Sequence, residues 1–229
     1  LYAYLYSVLS RVSSLRITPP PTSVDPAFAD FPGQHATPLF VCKGIRHLAL
    51  DGVDPASIVG WDRLSIQLTS LVCTHISMAD ITDLFVGLVQ RDAHVESLPA
   101  AAWHALQYAC LAHNELTFVP SSMTTILPSL RYLDVSHNLL NAVPPALECL
   151  DKLQALNVSG NMIDSVLGIY LSLPHIRVLN LGGNRLESLC GVERLHTLEQ
   201  IDLRANVIQD PGEVGRLATL PQISHVWIH

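Results

Sequence analysis

The chain carries eleven histidines and five cysteines. The first chemistry to consider is therefore metal binding or histidine-assisted catalysis. Both need ligands or acid–base groups brought together through short fixed spacings, such as Cys-x-x-Cys or His-Glu-x-x-His. Neither pattern occurs. His47, His75, His104, His175 and His196 share no common spacing. His225 and His229 are four apart, but within a strand such positions lie far apart along the chain direction. No nucleophile elbow is present, and Gly182-Gly183 reads as a turn rather than a phosphate loop. No catalytic, metal-binding or cofactor-binding residue is expected, and the chain reads as a non-enzyme. His113 and His137 differ from the other histidines because each precedes an asparagine, Asn114 and Asn138. They are expected to stack one structural unit apart, either as plain exposed positions or as a pH-sensitive contact.

Cys42, Cys73, Cys110, Cys149 and Cys190 are odd in number and unpaired in spacing, which points to reduced thiols and an intracellular setting. Asn157-Val158-Ser159 matches a glycosylation sequon, but it falls on a strand position, where the match reads as chance.

What must position these residues is a repeat. Leu130-Arg131-Tyr132-Leu133-Asp134-Val135-Ser136-His137-Asn138 contains the pattern Leu-x-x-Leu-x-Leu-x-x-Asn. The same frame returns at Leu153 to Asn161, at Ile176 to Asn184 and at Leu198 to Asn206. A degraded copy, with Ala109 at its second apolar position, runs from Leu106 to Asn114. The asparagines are spaced 24, 23, 23 and 22 residues apart. Periods of this size mean a solenoid, and this pattern is the leucine-rich repeat signature. The expected fold is α/β: a curved parallel sheet on the concave side and short helical turns on the convex side. One repeat cannot bury its apolar set alone, so stability comes from stacked neighbours. The asparagines 114, 138, 161, 184 and 206 are expected to form a structural ladder, each amide bonding main-chain groups of adjacent turns.

Weaker copies extend the array. Ile45 to Leu50 and Leu68 to Cys73 fit the strand without its asparagine, and Ile223-x-x-Val226-x-Ile228 begins a further repeat that stops at His229. The chain also starts at Leu1 without a methionine. It reads as a fragment of a longer protein, cut through a repeat.

Hydrophobic residues make up 49% of the chain and charged residues 14%, which is ample material for a core. The formal net charge of −7, with no run of lysine or arginine, argues against a nucleic-acid surface, which would need a basic patch. No stretch approaches eighteen consecutive apolar residues, so no membrane span is expected. Residues 1–17 have helical spacing through Leu1, Leu5, Val8, Leu9, Val12 and Leu15, and read as a helix capping the first repeat. Residues 18–39, with six prolines, read as an extended linker. An array of about eight repeats then fills 40–229, interrupted by a helical insertion at 77–102. Within it, residues 79–90 are expected to be helical, with Ile81, Leu84, Phe85 and Leu88 on one face, and 91–99 to be a loop.

The concave face is the candidate site. Its outward residues fall in rows: Tyr108 and Tyr132 in one; Asp134, Asn157, Asn180 and Asp202 in the next; Ser136 and Arg204 beyond. Aromatics bordered by polar groups are the anchors that protein interfaces use. A protein partner is therefore expected at Tyr108, Tyr132, Asp134, Ser136, Asn157, Asn180, Asp202 and Arg204.

Two narrower resemblances rest on particular segments. Leu186-x-x-Leu189-x-Gly191-Val192-x-x-Leu195-x-x-Leu198 resembles the short repeats of phosphatase-regulator type. The segment Lys43-Gly44-Ile45-Arg46-His47-Leu48-Ala49-Leu50-Asp51-Gly52-Val53 resembles the first repeat of the serine/threonine kinase eleven-interacting proteins, which are related to nischarin. In the same order follow the helical break after Cys73, Trp103 leading into Leu111 to Leu116, and Leu133 to Asn138. This resemblance implies a large cytosolic scaffold whose N-terminal repeats hold signalling partners, with links to kinase signalling and to endosomal and lysosomal membranes. From the two resemblances together, a kinase or phosphatase signalling component is the expected partner. It implies no catalytic residues. The leading expectation is a non-catalytic interaction module of such a scaffold. The alternatives are a regulatory subunit of a Ser/Thr phosphatase and the substrate-recognition arm of an enzyme such as a ubiquitin ligase.

Overall fold

The computed structural model describes residues 7–19, 37–78 and 80–229. The expectations for residues 1–6 and 20–36, the start of the capping helix and most of the linker, lie outside the described residues.

The strands in chain order are β1 (Ser14–Ile17), β2 (Thr37–Pro38), β3 (His47–Asp51), β4 (Ile58–Val59), β5 (Ser70–Thr74), β6 (Tyr108–Cys110), β7 (Tyr132–Asp134), β8 (Ala155–Asn157), β9 (Val178–Asn180), β10 (Gln200–Asp202) and β11 (His225–Trp227). Nine of them form one sheet in the order β1-β3-β5-β6-β7-β8-β9-β10-β11. Every pairing is parallel. Between strands the chain returns through short helical or 3-10 turns, such as Pro145–Cys149, Ile169–Ser172 and Val192–Arg194. Strand side chains alternate faces, so the leucines of each repeat point into one continuous core. Leu133, Val135, Leu156, Val158, Leu179, Leu181, Ile201 and Leu203 are all buried there.

The ladder forms as the repeat requires. The Asn138 side-chain amide donates to the carbonyls of Leu111 at 3.0 Å, Val135 at 2.9 Å and Ser136 at 3.1 Å. Its oxygen accepts from the amides of Asn114 at 3.2 Å and Leu116 at 3.1 Å. Asn114, Asn161, Asn184 and Asn206 repeat the arrangement, each reaching back one turn. A parallel solenoid leaves main-chain groups at its turns without ladder partners, and these amides supply them. Among the described residues, no buried side-chain nitrogen or oxygen lacks a hydrogen-bond partner.

Three expectations about the N-terminal half need correction. Residues 14–17 are not helical: they form β1, in register with His47 to Leu50. Leu15, the last of the positions that suggested a helix, also begins the alternation Leu15-x-Ile17, which half-buries both side chains against the core. Pairing with β3 gives that edge strand hydrogen bonds that a helix could not. A helical stretch is confined to residues 7–9 of the described part. The tail of the expected linker is also structured. Thr37–Pro38 pairs with Ile58–Val59, and Leu39 is buried. Finally, the helical insertion runs further than expected. It begins at Ile81, winds through a π-helical turn at Asp83–Gly87 and continues as an α-helix to Ala93, ending at His94 in a left-handed conformation. Ile81, Leu84, Phe85 and Leu88 do share its buried face.

Polar side chains at its end explain the extension to Ala93. The Arg91 guanidinium donates to the carbonyls of Ala56 at 2.9 Å and Ile58 at 2.7 Å. Asp92 accepts from the amides of Gly60 at 2.7 Å and Trp61 at 2.8 Å, closing the N-terminus of the helix Trp61–Gln67. Burial pushes the Asp92 carboxyl up, but Arg91 and the two amide donors outweigh it and hold the group below its ordinary value. A carboxyl lowered by folding contributes stability that is present above its unfolded value, near pH 4, and lost as pH falls through the folded value. Asp92→Ala is therefore expected to cost about 1–3 kcal/mol at pH 7 by leaving two amides unpaired. Its gap from wild type should shrink as the pH drops below about 4. Thermal melts of both proteins at pH 7 and pH 3 measure this, and a gap that widens in acid would contradict it.

Candidate functional site

The rows expected from the repeat are set by strand register. Tyr108 pairs with Tyr132, then come Ala155, Val178, Gln200 and His225. Two positions on, Cys110, Asp134, Asn157, Asn180, Asp202 and Trp227 form the neighbouring row. Tyr108 and Tyr132 are 38% and 46% exposed, with ring centroids 6.5 Å apart and a tilt of 38°. Strand spacing fixes this separation, so the two rings make a pre-formed aromatic step. Burial first, and then the nearby Cys110 and Asp134, push the Tyr108 hydroxyl above its ordinary value and keep it a neutral donor. Cys110 itself is buried. Val178 and Trp227, also exposed, continue the apolar character along the face.

The polar row has a second task that was not foreseen. The side-chain oxygen of Asp134 accepts the amide of Ser136, that of Asn157 the amide of Ser159, that of Asn180 the amide of Gly182 and that of Asp202 the amide of Arg204. Each is a turn made by an Asp or Asn bonding the backbone two residues on. These four side chains shape the chain as it leaves the strand, and Asn157 also donates to Asp134 at 3.0 Å. They are only half exposed. Arg204 is exposed but engaged, forking onto both oxygens of Asp202. That contact is the first reason the Asp202 carboxyl is held below its ordinary value. Ser136 is a correction: it is only 5% exposed and so is not an outward-facing residue of this surface. Ser136 lies beyond the end of β7, where strand alternation no longer sets which side chains are exposed.

The histidines also need revision. His113 and His137 stack as expected, with centroids 4.3 Å apart. His75, which shares no sequence spacing with them, joins the same stack, 4.8 Å from His113. The helical insertion lengthens the sequence between His75 and His113 but not the distance between their strands, which is why the spacing concealed it. No group of three or more His, Cys, Asp or Glu among the described residues is placed to hold a metal ion. All five cysteines are free. No described helix is long and apolar enough to cross a membrane.

A parallel sheet built from an asparagine-pinned repeat defines a leucine-rich repeat solenoid, and that is the fold of this chain. The sequence model of the leucine rich repeat family matches residues 106–163. The chain is 29% identical over 98% of its length to the serine/threonine-protein kinase 11-interacting protein of Homo sapiens, of which it covers 19%. An uncharacterized leucine-rich repeat-containing protein of Schizosaccharomyces pombe is 33% identical over 40% of the chain, and 15% of that protein is covered. The chain thus spans a fifth or less of these curated relatives. Among solved structures, an internalin C2 from Listeria monocytogenes superposes with a TM-score of 0.60 at 16% identity, covering 86% of this chain and 78% of that one. That likeness concerns the fold. Leucine-rich repeats of this fold are generally surfaces for protein–protein interaction.

Proposed function

We propose that this solenoid is the non-catalytic recognition part of a larger intracellular signalling scaffold and that it holds a protein partner on its concave face. The observation that carries the reading is the aromatic step of Tyr108 and Tyr132, two adjacent, half-exposed rings at the middle of a rigid sheet. Tyrosine buries a large area with little loss of side-chain freedom, and it is enriched at the residues that dominate binding. The polar row beside it gives the rim. Because Asp134, Asn157, Asn180 and Asp202 are held by their own turns, they would meet a partner without reorganising. The likeness to a protein named for interacting with a kinase supports a signalling partner.

The test uses the intact protein. Tyr108→Ala with Tyr132→Ala is expected to weaken partner binding at least about tenfold, because anchors of this kind cost 2 kcal/mol or more when truncated. The melting temperature should move little, since both rings are half exposed. Leu167→Ala with Leu171→Ala, on the convex side and highly exposed, should leave binding unchanged. Loss of binding in the convex pair with none in the tyrosine pair would overturn the reading.

A further inference from the structure

At the outlet of successive strands one residue per turn adopts a left-handed conformation: His75, His113, His137, Gly160, Gly183 and Ala205, with φ of 56°, 56°, 53°, 64°, 64° and 55°. Equivalent φ values aim the side chains the same way, and strands about 4.8 Å apart stack them. The three imidazoles are consequently almost parallel, with interplanar angles of 15° and 7°. Their centroid separations of 4.8 Å and 4.3 Å give a row about 9 Å long. The row ends where a side chain could not continue it. A Cβ at Gly160 would lie 2.6 Å from His137 Nδ1. Beyond lies an open floor of Gly160 and Gly183, edged by Arg204 and His229.

The charges around the row are few and mostly engaged. From β3, Asp51 meets His75 Nδ1 at 2.9 Å, while the same oxygen accepts the Thr74 hydroxyl and the other takes Arg16 of β1 at 2.9 Å. From β7, Asp134 is committed to the Ser136 amide and to Asn157. At the far end Arg204 is paired with Asp202. Of the three exposed imidazoles, His75 meets a carboxylate that is itself divided with an arginine, and Asp51 and Asp134 act on His113 only from a distance. Partial burial, and then the His137 and His75 rings, push the His113 imidazole below its ordinary value. Charging the row places like charges one strand apart, and an external anion relieves that repulsion.

We propose that the row of His75, His113 and His137 binds a carboxylate-rich extended segment of a protein partner, and that this binding takes up protons. The ground is charge and length complementarity. An extended chain repeats its same-face side chains about 6.7 Å apart, so two acidic residues at alternate positions fit over the row. An anion favours the charged imidazole, so the bound histidines hold their protons to higher pH. Binding therefore strengthens as the pH falls through the range in which histidine changes charge, between about 8 and 5.

A hexaglutamate peptide titrated into the full chain at pH 7.5 and pH 5.8 tests this, with hexaglutamine as the uncharged counterpart. Hexaglutamate is expected to bind several-fold tighter at pH 5.8, the ceiling being about tenfold per pH unit for each proton taken up. The gain should vanish in the triple variant His75→Asn, His113→Asn, His137→Asn, in which asparagine tolerates the left-handed turn. It should persist in Tyr108→Ala with Tyr132→Ala, which separates this proposal from the tyrosine surface. Ring-proton NMR of the wild type gives an independent reading: hexaglutamate should raise the titration midpoints of these three histidines. Equal affinity at both pH values, equal binding of hexaglutamine, an undiminished gain in the triple variant or unmoved ring titrations would each overturn the proposal.

Discussion

Asn138→Leu is expected to lose about 2–5 kcal/mol of stability, more than Asn161→Leu at about 1–3 kcal/mol. The two asparagines look interchangeable in the repeat, but their oxygens serve different numbers of donors. Asn138 accepts from two buried amides, those of Asn114 and Leu116, whereas Asn161 accepts from that of Leu140. The carbonyls they bridge are less exposed to loss. Leu111 and Val135 keep second donors from Asn114 and Asn161 when Asn138 is removed. The cost therefore comes mainly from stranded N–H groups, each carrying its full desolvation penalty in the core. Chemical denaturation of both variants against wild type measures the order. Equal losses, or a larger loss at Asn161, would show that the carbonyls matter more than the amides.

Trp103→Ala is expected to cost about 3–5 kcal/mol, the range for deleting a buried aromatic. Trp103 is fully buried and packs edge-on against Phe85 with centroids 4.9 Å apart, with Trp61 at 6.2 Å. Its indole N–H donates to the Phe85 carbonyl at 2.8 Å, and its amide donates to Ser65 at 2.6 Å. The indole thus packs the inserted helix, through Phe85, against Trp61 of the helix Trp61–Gln67. The loss should be local as well as global. Hydrogen exchange of residues 81–93 should rise well above that of β7 to β10, because a repeat array transmits stability mainly between neighbours. Trp103→Phe should recover packing but not the bond to Phe85, and fall between the two. A uniform rise in exchange across all strands would contradict this picture.

The repeat half of the molecule was legible because one period set everything at once. Leucine spacing placed β6 to β10, the asparagines placed the ladder, and the residue just before the first strand leucine placed Tyr132 beside Tyr108. What was hidden lay where that period is broken or where one residue type has two uses. Leu15 fits both the helical stripe and, with Ile17, the strand alternation, and the open edge of β3 decided for a strand. His75 belongs with His113, but the insertion separates them by an irregular distance along the sequence. Asp134, Asn157, Asn180 and Asp202 read equally well as exposed contacts and as turn caps. Only the position of the amide two residues on shows that they are both half-exposed and bonded. Ser136 stands two residues past the end of β7, where counting by twos stops predicting exposure.

A photo-crosslinking amino acid placed in the intact protein tests the concave-face account most directly. Introduced in place of Tyr132 and, separately, in place of Leu167 on the convex side, it should yield a discrete partner adduct from the first position and none from the second. Adducts from the Leu167 position, with none from the Tyr132 position, would place the partner on the opposite side of the solenoid and contradict the account.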